Sequence, residues 1–501
     1  MELKTENKKA KNIILGIISC IVIAMLVWGI IAVSSKKDSE ESGRESIKTT
    51  GQTKASKEDL TLNTGNIGEG ELSTSEEKTE GNETDTTQEE AATDITSGES
   101  EGSTTQVVNN GTTAAENAPN PSETSNTEKP GEQKTTPPET PQPPQPPTTP
   151  PHAETIDEKV NRIVSAMTLE EKVYQMIIVA PESLTGQGRV TQAGQTTKDC
   201  INMYPVGGII YFGSNIVNES QITEMLSNTQ KYSLERTGLK IFTCIDEEGG
   251  RVARIGNNTA FPVKTFSDMA YIKGEAEAYN VGDTIGGYLS RYGFNVDFAP
   301  CADVITNPEN KVIGTRSFGT EPGVVSSMSL SVAKGLKSHG ILAAYKHFPG
   351  HGATMGDTHE GFAYTDKTLE ELMKSELVPF KSAADNGIDM VMAAHISVPK
   401  VIGDNTPSSL SYRMITGVLR EQLGYKGLVV TDALNMGAIA NNYTSETAAV
   451  MAVKAGNDLL LMPKDFKAAA GAIINEVRNG NISEERINES VRKIVRAKLY
   501  L

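Results

Sequence analysis

Three histidines, a lysine and an aspartate lie within one short stretch of the chain, where they could carry out acid–base chemistry. Residues 346–360 begin with the motif Lys-His-Phe-Pro-Gly-His-Gly and contain His347, His351, His359 and Asp357, so they hold three of the chain's six histidines. A histidine titrates near neutral pH and can give and take a proton, and a neighbouring carboxylate can orient its ring. The alternative is a glycine-rich turn with incidental histidines.

The residues before this stretch favour a site. Ile341–Tyr345 is an apolar run that predicts a buried strand, and Pro349 with its neighbouring glycines excludes a helix directly afterwards. Polar groups at the carboxyl end of a buried strand are typical of active sites in α/β folds. We therefore predict that the stretch forms part of an active site.

Polar residues follow other predicted strands in the same way. The third to seventh strands are followed by Asp246, by Asp303, by Lys346 and His347, by His395, and by Asp432. A single aspartate in such a position is often only a helix cap or a surface ion pair. Five strand ends that behave alike predict one shared mouth.

The strand pattern predicts an α/β fold, a single (β/α)8 TIM-type barrel. Eight short apolar runs predict strands at Val173–Ala180, Gly208–Phe212, Ile241–Ile245, Val296–Ala299, Ile341–Tyr345, Met390–Ala394, Leu428–Val430 and Asp458–Met462. Amphipathic segments predict helices at Ser220–Arg236, Ala276–Arg291, Val324–Ser338, Leu369–Asp385 and Arg413–Leu423. Strict alternation indicates a parallel sheet, and eight units fit a barrel better than an open sheet. No Gly-x-Gly-x-x-Gly turn follows the first strand, as a dinucleotide fold would require.

The amino-terminal part of the chain predicts a membrane anchor. Residues 1–12 form a basic tail, and residues 13–33 are an uncharged apolar run, long enough for a helix to cross a bilayer. The basic flank should stay cytoplasmic, so we expect a single-pass protein of the cell membrane with its catalytic domain outside the cell. A cleaved signal peptide and a lipoprotein signal at Cys20 are the alternatives.

Residues 34–153 predict a disordered linker rich in Thr, Ser, Glu and Pro. They contain few bulky apolar residues and end in the proline-rich tract Pro137–Pro151. The segment carries 23 acidic and nine basic residues, so most of the chain's formal charge of −17 resides there. Residues 154–501 are therefore the predicted catalytic domain, only mildly acidic, and nothing in the sequence suggests nucleic-acid binding.

Cysteines and histidines give no metal-binding pattern. Three widely spaced cysteines in the folded part are not a disulfide framework. A zinc hydrolase using His347, His351 and His359 is an alternative, but Pro349 breaks the backbone, so no helix presents the histidines on one face. We expect no metal, no cofactor and a monomeric catalytic domain.

Four motifs together resemble glycoside hydrolase family 3, and within it the β-N-acetylglucosaminidases. They are Asp246–Val252, Arg316–Gly319, Lys346–Gly352 with Asp357-Thr358-His359, and Thr431–Leu434. The resemblance covers about residues 156–501. It implies a retaining glycosidase that removes terminal N-acetylglucosamine through a covalent glycosyl-aspartate intermediate. An outward-facing domain suggests peptidoglycan fragments or related glycans as substrates.

The resemblance also implies roles for individual residues. Asp432 would be the nucleophile, and His359, held by Asp357, the general acid/base. The residues that would bind the hydroxyls and acetamido group of the terminal sugar are Asp246, Arg254, Arg316, Lys346 and His347. Glu247 stands where the family often has Gln, and Thr358 where Ser is usual. The chain is expected to end one helix after its eighth strand, so family 3 β-glucosidases that take their acid from a second domain fit poorly.

Other functions stay open from the sequence alone. A barrel without turnover could serve as a tethered sugar-binding module, because a fold does not fix a function. Phosphorolysis could replace hydrolysis, since a histidine acid/base lacks the negative charge that would repel phosphate. The natural aglycone is also open.

Overall fold

The computed structural model describes residues 154–357, 361 and 363–501, and the structural statements below concern those residues. Eight parallel strands form a nearly closed barrel within an α/β fold. They are β1 (Ile177–Val179), β2 (Gly208–Ile210), β3 (Phe242–Ile245), β4 (Val296–Asp297), β5 (Leu342–Phe348), β6 (Met390–Ala393), β7 (Leu428–Thr431) and β8 (Leu460–Leu461). Strands β1 to β7 pair in chain order, and β8 pairs with β1. Between β7 and β8 the single bridge Val430↔Leu459 links β7 to the residue before β8.

Helices alternate with the strands. They are α1 (Ile156–Ala166), α2 (Leu169–Gln175), α3 (Pro181–Thr185), α4 (Gln195–Met203), α5 (Glu219–Thr237), α6 (Gly274–Tyr292), α7 (Pro322–Ser338), α8 (Leu369–Lys374), α9 (Val378–Asp385), α10 (Pro399–Ile402), a π-helix (Arg413–Gln422), α11 (Gly437–Ala440), α12 (Ser445–Ala455), α13 (Phe466–Arg478) and α14 (Glu484–Leu499). The short strands Glu247–Gly249 and Val252–Ala253 form a hairpin after β3, and Ala363–Tyr364 pairs with Ile396–Ser397. This architecture agrees with the predicted barrel.

Some details of the predicted elements were wrong. The first predicted strand began at Val173, but α2 continues to Gln175, because Thr168 and Glu171 form a reciprocal capping box that starts a helix there. The predicted helix Leu369–Asp385 is two helices, and Pro379 lies in the first turn of the second, where a proline is tolerated. Two helices, α13 and α14, follow the eighth strand instead of one.

Strand β5 is longer than the sequence indicated. It runs to Phe348, directly before Pro349, so Lys346 and His347 lie on the strand itself. Six of its seven residues are buried, as expected for a parallel strand covered on both faces. The position of these two side chains is therefore set by a rigid element of the core.

The first and last helices pack together beside the amino-terminal end of the barrel. Arg496 near the end of α14 pairs with Asp157 in the first turn of α1. Lys240, just before β3, donates to the backbone oxygen of Leu501. Glu154 and the carboxyl terminus therefore both lie at the end where the strands begin.

In the described part of the chain, no helix is both long and apolar enough to cross a membrane. The predicted basic tail, anchor (residues 13–33) and linker (residues 34–153) lie outside the described residues, and so does His359. These remain predictions.

Lys498 of α14 is buried at the amino-terminal end of the barrel. Its Nζ donates to Gln175 Oε1 at 2.7 Å and lies 4.9 Å from the centre of the Phe242 ring. The side chain is 3% exposed. Burial lowers the pKa of Lys498 to about 7, although the nearby Cys244 acts in the opposite direction. The folded protein therefore disfavours a charge that the unfolded chain retains up to about pH 10.

We expect Lys498→Met to stabilise the protein by roughly 3 kcal/mol near pH 7, because the variant has no ammonium to desolvate. Between the folded-state pKa of Lys498 and about pH 10, the unfolded wild type binds more protons than the folded wild type. Wild-type stability therefore rises with pH, and the stability advantage of Lys498→Met shrinks. Urea unfolding at pH 7 and pH 9.5 measures this. Lys454→Met, at a half-exposed pair with Glu476, is the control and should change stability by less than about 1 kcal/mol at either pH. An equal gain at both pH values would contradict the explanation.

Candidate active site

The carboxyl ends of five barrel strands bring their polar residues to one end of the barrel. They are Asp246 after β3, Asp303 after β4, Lys346 and His347 at the end of β5, His395 after β6 and Asp432 after β7. Parallel strands share a direction, so residues at their carboxyl ends surround one mouth. The structure thus brings together the residues that the sequence singled out on these strands.

A buried cluster of charges lies on one side of this mouth. Lys346 Nζ contacts Glu248 Oε1 at 2.6 Å and Asp246 Oδ1 at 2.8 Å. Arg316 donates to both oxygens of Glu248, from Nε at 2.9 Å and from Nη2 at 2.6 Å. Burial acts to raise the pKa of Glu248, but Arg316 and Lys346 outweigh it and hold that pKa well below its usual range.

The same cluster keeps its cations charged. Burial acts to lower the pKa of Lys346, but the carboxylates of Asp246 and Glu248 raise it above its ordinary value. Burial likewise acts to lower the pKa of Arg316, but the Glu248 carboxylate raises it above its ordinary value. The cluster therefore offers permanently protonated donors, which suits recognition of sugar hydroxyl and carbonyl oxygens.

Arg254 lies at the edge of this cluster. Its Nη2 is 3.7 Å from Asp246 Oδ2, and its side chain is 32% exposed. Glu247 holds the backbone around it, because the Glu247 carboxylate accepts the amide N–H of Ile255 at 2.9 Å and of Gly256 at 2.7 Å. The carboxylate also accepts the Arg254 amide. Glu247 thus has a structural role that the sequence did not predict.

Asp303 holds the histidine-rich stretch in place. Its Oδ2 accepts a hydrogen bond from His347 Nδ1 at 2.7 Å, and its Oδ1 accepts the backbone N–H groups of His347 and His351 at 3.1 and 2.6 Å. Burial acts to raise the pKa of Asp303, but His347 and the other donors hold it well below its usual range. An ionised carboxylate only accepts, so His347 Nδ1 carries a proton.

Steric constraints explain why two positions of the Lys-His-Phe-Pro-Gly-His-Gly motif are glycine. Gly350 has φ of +124°, a conformation that residues with a side chain rarely adopt. A Cβ at Gly352 would lie 2.0 Å from the carbonyl oxygen of Val304. The glycines therefore let this stretch pack against the loop that follows β4.

Asp432 lies at the end of β7 with its backbone fixed. Its N–H donates to the Ala393 carbonyl at 2.8 Å, and its Oδ1 accepts the N–H of Ala433 at 2.8 Å. Burial acts to raise the pKa of Asp432, but the nearby His395 and His347 rings and the Ala433 amide lower it below its ordinary value. Asp432 is therefore an ionised carboxylate at neutral pH, as a nucleophile must be.

Asp357 lies in the loop after the short helix His351–Ala353. Its carbonyl oxygen accepts the N–H of Gly361 at 2.9 Å. Met355 pairs with Tyr364 through two backbone hydrogen bonds of 3.1 and 3.2 Å, which closes the base of this loop. His359, the predicted general acid/base, is outside the described residues, so its contact with Asp357 stays a prediction.

The sequence assigned no individual role to three residues that organise the site, Glu248, Asp303 and His395. Asp303 and His395 were predicted to lie at the mouth, and Glu248 follows the third predicted strand. The signal was their position at strand ends. Which of the adjacent carboxylates Asp246, Glu247 and Glu248 faces the cations depends on the hairpin after β3, which the sequence pattern did not reveal.

Among the described residues, one group could hold a metal ion. Ligand atoms of Cys301, Asp303 and His347 all lie within 4.8 Å of one another and are buried. The cysteine thiol and the imidazole both hydrogen-bond to Asp303 Oδ2, at 3.2 and 2.7 Å. These hydrogen bonds account for the grouping without an ion.

Arg316→Lys should lower kcat/KM about 10- to 100-fold, because lysine keeps the charge but cannot bind both oxygens of Glu248 as the guanidinium does. Steady-state kinetics on an aryl N-acetylglucosaminide measure this. Arg492→Lys, at an exposed pair with Glu485, is the matched control and should leave kcat/KM unchanged. Equal effects of the two substitutions would contradict a specific role for the Arg316 guanidinium that binds both oxygens of Glu248.

The sequence profile of the Glycosyl hydrolase family 3 N terminal domain matches residues 168–497, which include all eight barrel strands. The chain belongs to glycosyl hydrolase family 3. This confirms the resemblance carried by the four motifs. The match extends over all eight strands, α13 and most of α14.

Several known proteins are similar to this chain in sequence or structure. The chain is 34% identical over 329 residues to "Beta-hexosaminidase A" of Pseudoalteromonas piscicida, covering 60% of this chain and 55% of that protein. It is 28% identical over 345 residues to "Beta-hexosaminidase LpqI" of Mycobacterium tuberculosis, covering 67% of this chain and 84% of that protein. A family 3 β-N-acetylglucosaminidase structure from Paenibacillus sp. str. FPU-7 matches with 35% identity and a TM-score of 0.63. The match covers 67% of this chain and 63% of that chain. The chain thus spans little more than half of the Pseudoalteromonas protein.

Proposed function

We propose that this family 3 protein is a retaining exo-β-N-acetylglucosaminidase, which removes terminal N-acetylglucosamine from peptidoglycan fragments or related glycans. Residues 154–501 would be a single TIM-type catalytic domain. The relatives named β-hexosaminidase and β-N-acetylglucosaminidase support the substrate class. The observation that carries the proposal is the Asp432 carboxylate, fixed by backbone hydrogen bonds at the end of β7, at the same mouth as Lys346 and His347.

A retaining mechanism needs a carboxylate nucleophile and a proton donor on opposite sides of the glycosidic bond. Asp432 would attack the anomeric carbon and form a bond with it while the bond to the aglycone oxygen breaks. That oxygen would leave with the electron pair and take a proton from His359. Water would then be deprotonated by His359 and release the sugar from Asp432.

The charge cluster supports the binding part of the proposal. Asp246, Arg316 and Lys346 would hydrogen-bond to the terminal sugar, with Glu248 fixing the two cations. Because these donors are already oriented by buried carboxylates, little ordering is needed when substrate binds. Preorganised donors of this kind stabilise charge that develops in a transition state.

Product analysis tests the proposed reaction. The protein should convert chitobiose and muropeptides to free N-acetylglucosamine, with the β-anomer appearing first by proton NMR and no dependence on phosphate. Initial formation of the α-anomer would exclude a retaining mechanism. Sugar 1-phosphate as the main product in phosphate buffer would show a phosphorylase, and binding without products would show a sugar-binding module.

We also propose that residues 13–33 anchor the protein in the cell membrane and that residues 34–153 hold the catalytic domain in the surrounding wall. The uncharged apolar run and the polar composition support this arrangement. Protease treatment of intact cells should release an active domain if the catalytic part is outside the membrane. Protection of the domain until the cells are lysed would exclude that orientation.

A protein that begins at Glu154 should be soluble and as active as the full chain on small substrates. Every barrel strand and every candidate site residue lies beyond that position. Size-exclusion chromatography and kinetics on an aryl glycoside measure both properties. Aggregation or loss of activity would show that the boundary at residue 154 is wrong.

A further inference from the structure

We propose that His395 is a positioning residue for the nucleophile, acting through Ala433. The His395 ring holds the carbonyl of Ala433, whose own N–H donates to Asp432 Oδ1 at 2.8 Å. His395 thereby fixes which carboxylate oxygen is held and which one attacks. This inference rests on the proposed role of Asp432.

The ring of His395 is held by partners on two different elements. Nε2 lies 3.0 Å from the Ala433 carbonyl oxygen, and Nδ1 lies 2.7 Å from Ser409 Oγ. A carbonyl oxygen only accepts, so Nε2 carries a proton. In the neutral ring Nδ1 then accepts the Ser409 hydroxyl proton, and this hydrogen bond favours the tautomer with hydrogen on Nε2.

Ser409 is itself fixed on both sides. Its N–H donates to the Ala394 carbonyl at 3.0 Å, and its carbonyl accepts from Asn457 Nδ2 at 2.8 Å. The end of β6 and the segment before β8 therefore both contribute to the orientation of the His395 ring. A ring held at both nitrogens cannot rotate without losing a buried hydrogen bond, which is unfavourable.

His395 is fully buried, with 0% of its surface exposed. A buried polar ring is unfavourable unless its hydrogen bonds are made, and an apolar side chain could fill the same space without that requirement. A specific role in setting Asp432 explains why a histidine stands at this position.

The two carboxylate oxygens of Asp432 therefore have different roles. Oδ1 is held by the Ala433 amide, so Oδ2 is the oxygen we assign to attack. Loss of the His395 hydrogen bond would free the Ala433 carbonyl. A shift of Ala433 would then move its N–H, which lies in the preceding peptide group, and with it the Asp432 carboxylate. A displacement of about 1 Å in a reacting group can slow a reaction on the order of 100-fold.

A matched pair of variants tests this. Gln at 395 can place an N–H near the position of Nε2, whereas Asn reaches only the position of Nδ1. We expect His395→Gln to stay within about threefold of the wild type, and His395→Asn to be about 10- to 100-fold slower in covalent labelling by a slow fluorinated N-acetylglucosaminide. Affinity for N-acetylglucosamine as an inhibitor should be unchanged in both, because the sugar-binding side chains are untouched.

The outcomes separate the two proposals. If the wild type is not labelled at Asp432 in peptide mass spectrometry, the proposed function fails. If the wild type is labelled at Asp432 but the Asn and Gln variants react at the same rate, the role of His395 is overturned while the function stands. Should His395→Asn not fold, Ser409→Ala replaces it. For Ser409→Ala, labelling about three- to tenfold slower than the wild type with unchanged sugar affinity supports the inference, and an unchanged labelling rate overturns it.

Discussion

Asp432→Asn should lower kcat by at least about 10⁴-fold while the barrel stays folded. Removal of a nucleophile in other enzymes costs this much or more. Asparagine has nearly the same shape and can keep the carbonyl oxygen that accepts the Ala433 amide. The loss would therefore report the missing negative charge and not a disrupted strand end. Kinetics on an aryl N-acetylglucosaminide, together with circular dichroism, measure both parts.

Azide distinguishes a missing nucleophile from general damage. In Asp432→Ala, a small anion can attack the sugar from the vacated side, and the product should be the α-glycosyl azide, with inverted configuration. A labelled peptide containing Asp246, Glu247 or Glu248 in the wild type would assign the nucleophile elsewhere. Each of those carboxylates already has a buried cation or backbone N–H groups as partners.

His359→Ala should slow disaccharide cleavage roughly 10²- to 10⁴-fold, and cleavage of a nitrophenyl glycoside much less. A sugar hydroxyl needs a proton in order to leave, whereas a nitrophenolate does not. Azide should partly restore turnover by attacking the covalent intermediate without a base, this time with retained β configuration. Kinetics over a series of leaving groups measure the difference in slope between variant and wild type.

Asp357→Asn is the companion variant and should be milder. Loss of the carboxylate destabilises the imidazolium form of His359, so the alkaline limb of the pH–rate profile, where the general acid loses its proton, should move to lower pH. Glu360 is the competing general acid, because a carboxylic acid is the more usual donor in glycosidases. If Glu360→Gln shows the leaving-group dependence and His359→Ala does not, the histidine mechanism is wrong.

The barrel and much of its mouth were predictable because both follow from local patterns. Short apolar runs separated by amphipathic segments indicate parallel strands, and polar residues after such runs must converge at one end. Asp246, Lys346, His347 and Asp432 were found in this way. Arg254 and Arg316, which come from loops, were assigned through the resemblance to family 3.

The pairing of charges at the mouth could not be predicted. Asp246, Glu247 and Glu248 are adjacent in sequence, yet Glu248 binds Arg316 and Lys346 while Glu247 binds backbone amides. The hairpin after β3 decides this, and its short strands have too few residues for a periodic pattern. The same limit applies to His395, whose partners Ser409 and Ala433 belong to segments 14 and 38 residues away.

The positions of Glu154 and Leu501 relative to the barrel have a practical consequence. Glu154 and Leu501 both lie where the strands begin, through the contacts of Asp157 with Arg496 and of Lys240 with Leu501, whereas Asp432 is at the opposite pole. A bead or electrode coupled just before Glu154 would therefore leave the mouth turned outward. Bulky insoluble glycans should reach such an immobilised enzyme as readily as small soluble ones.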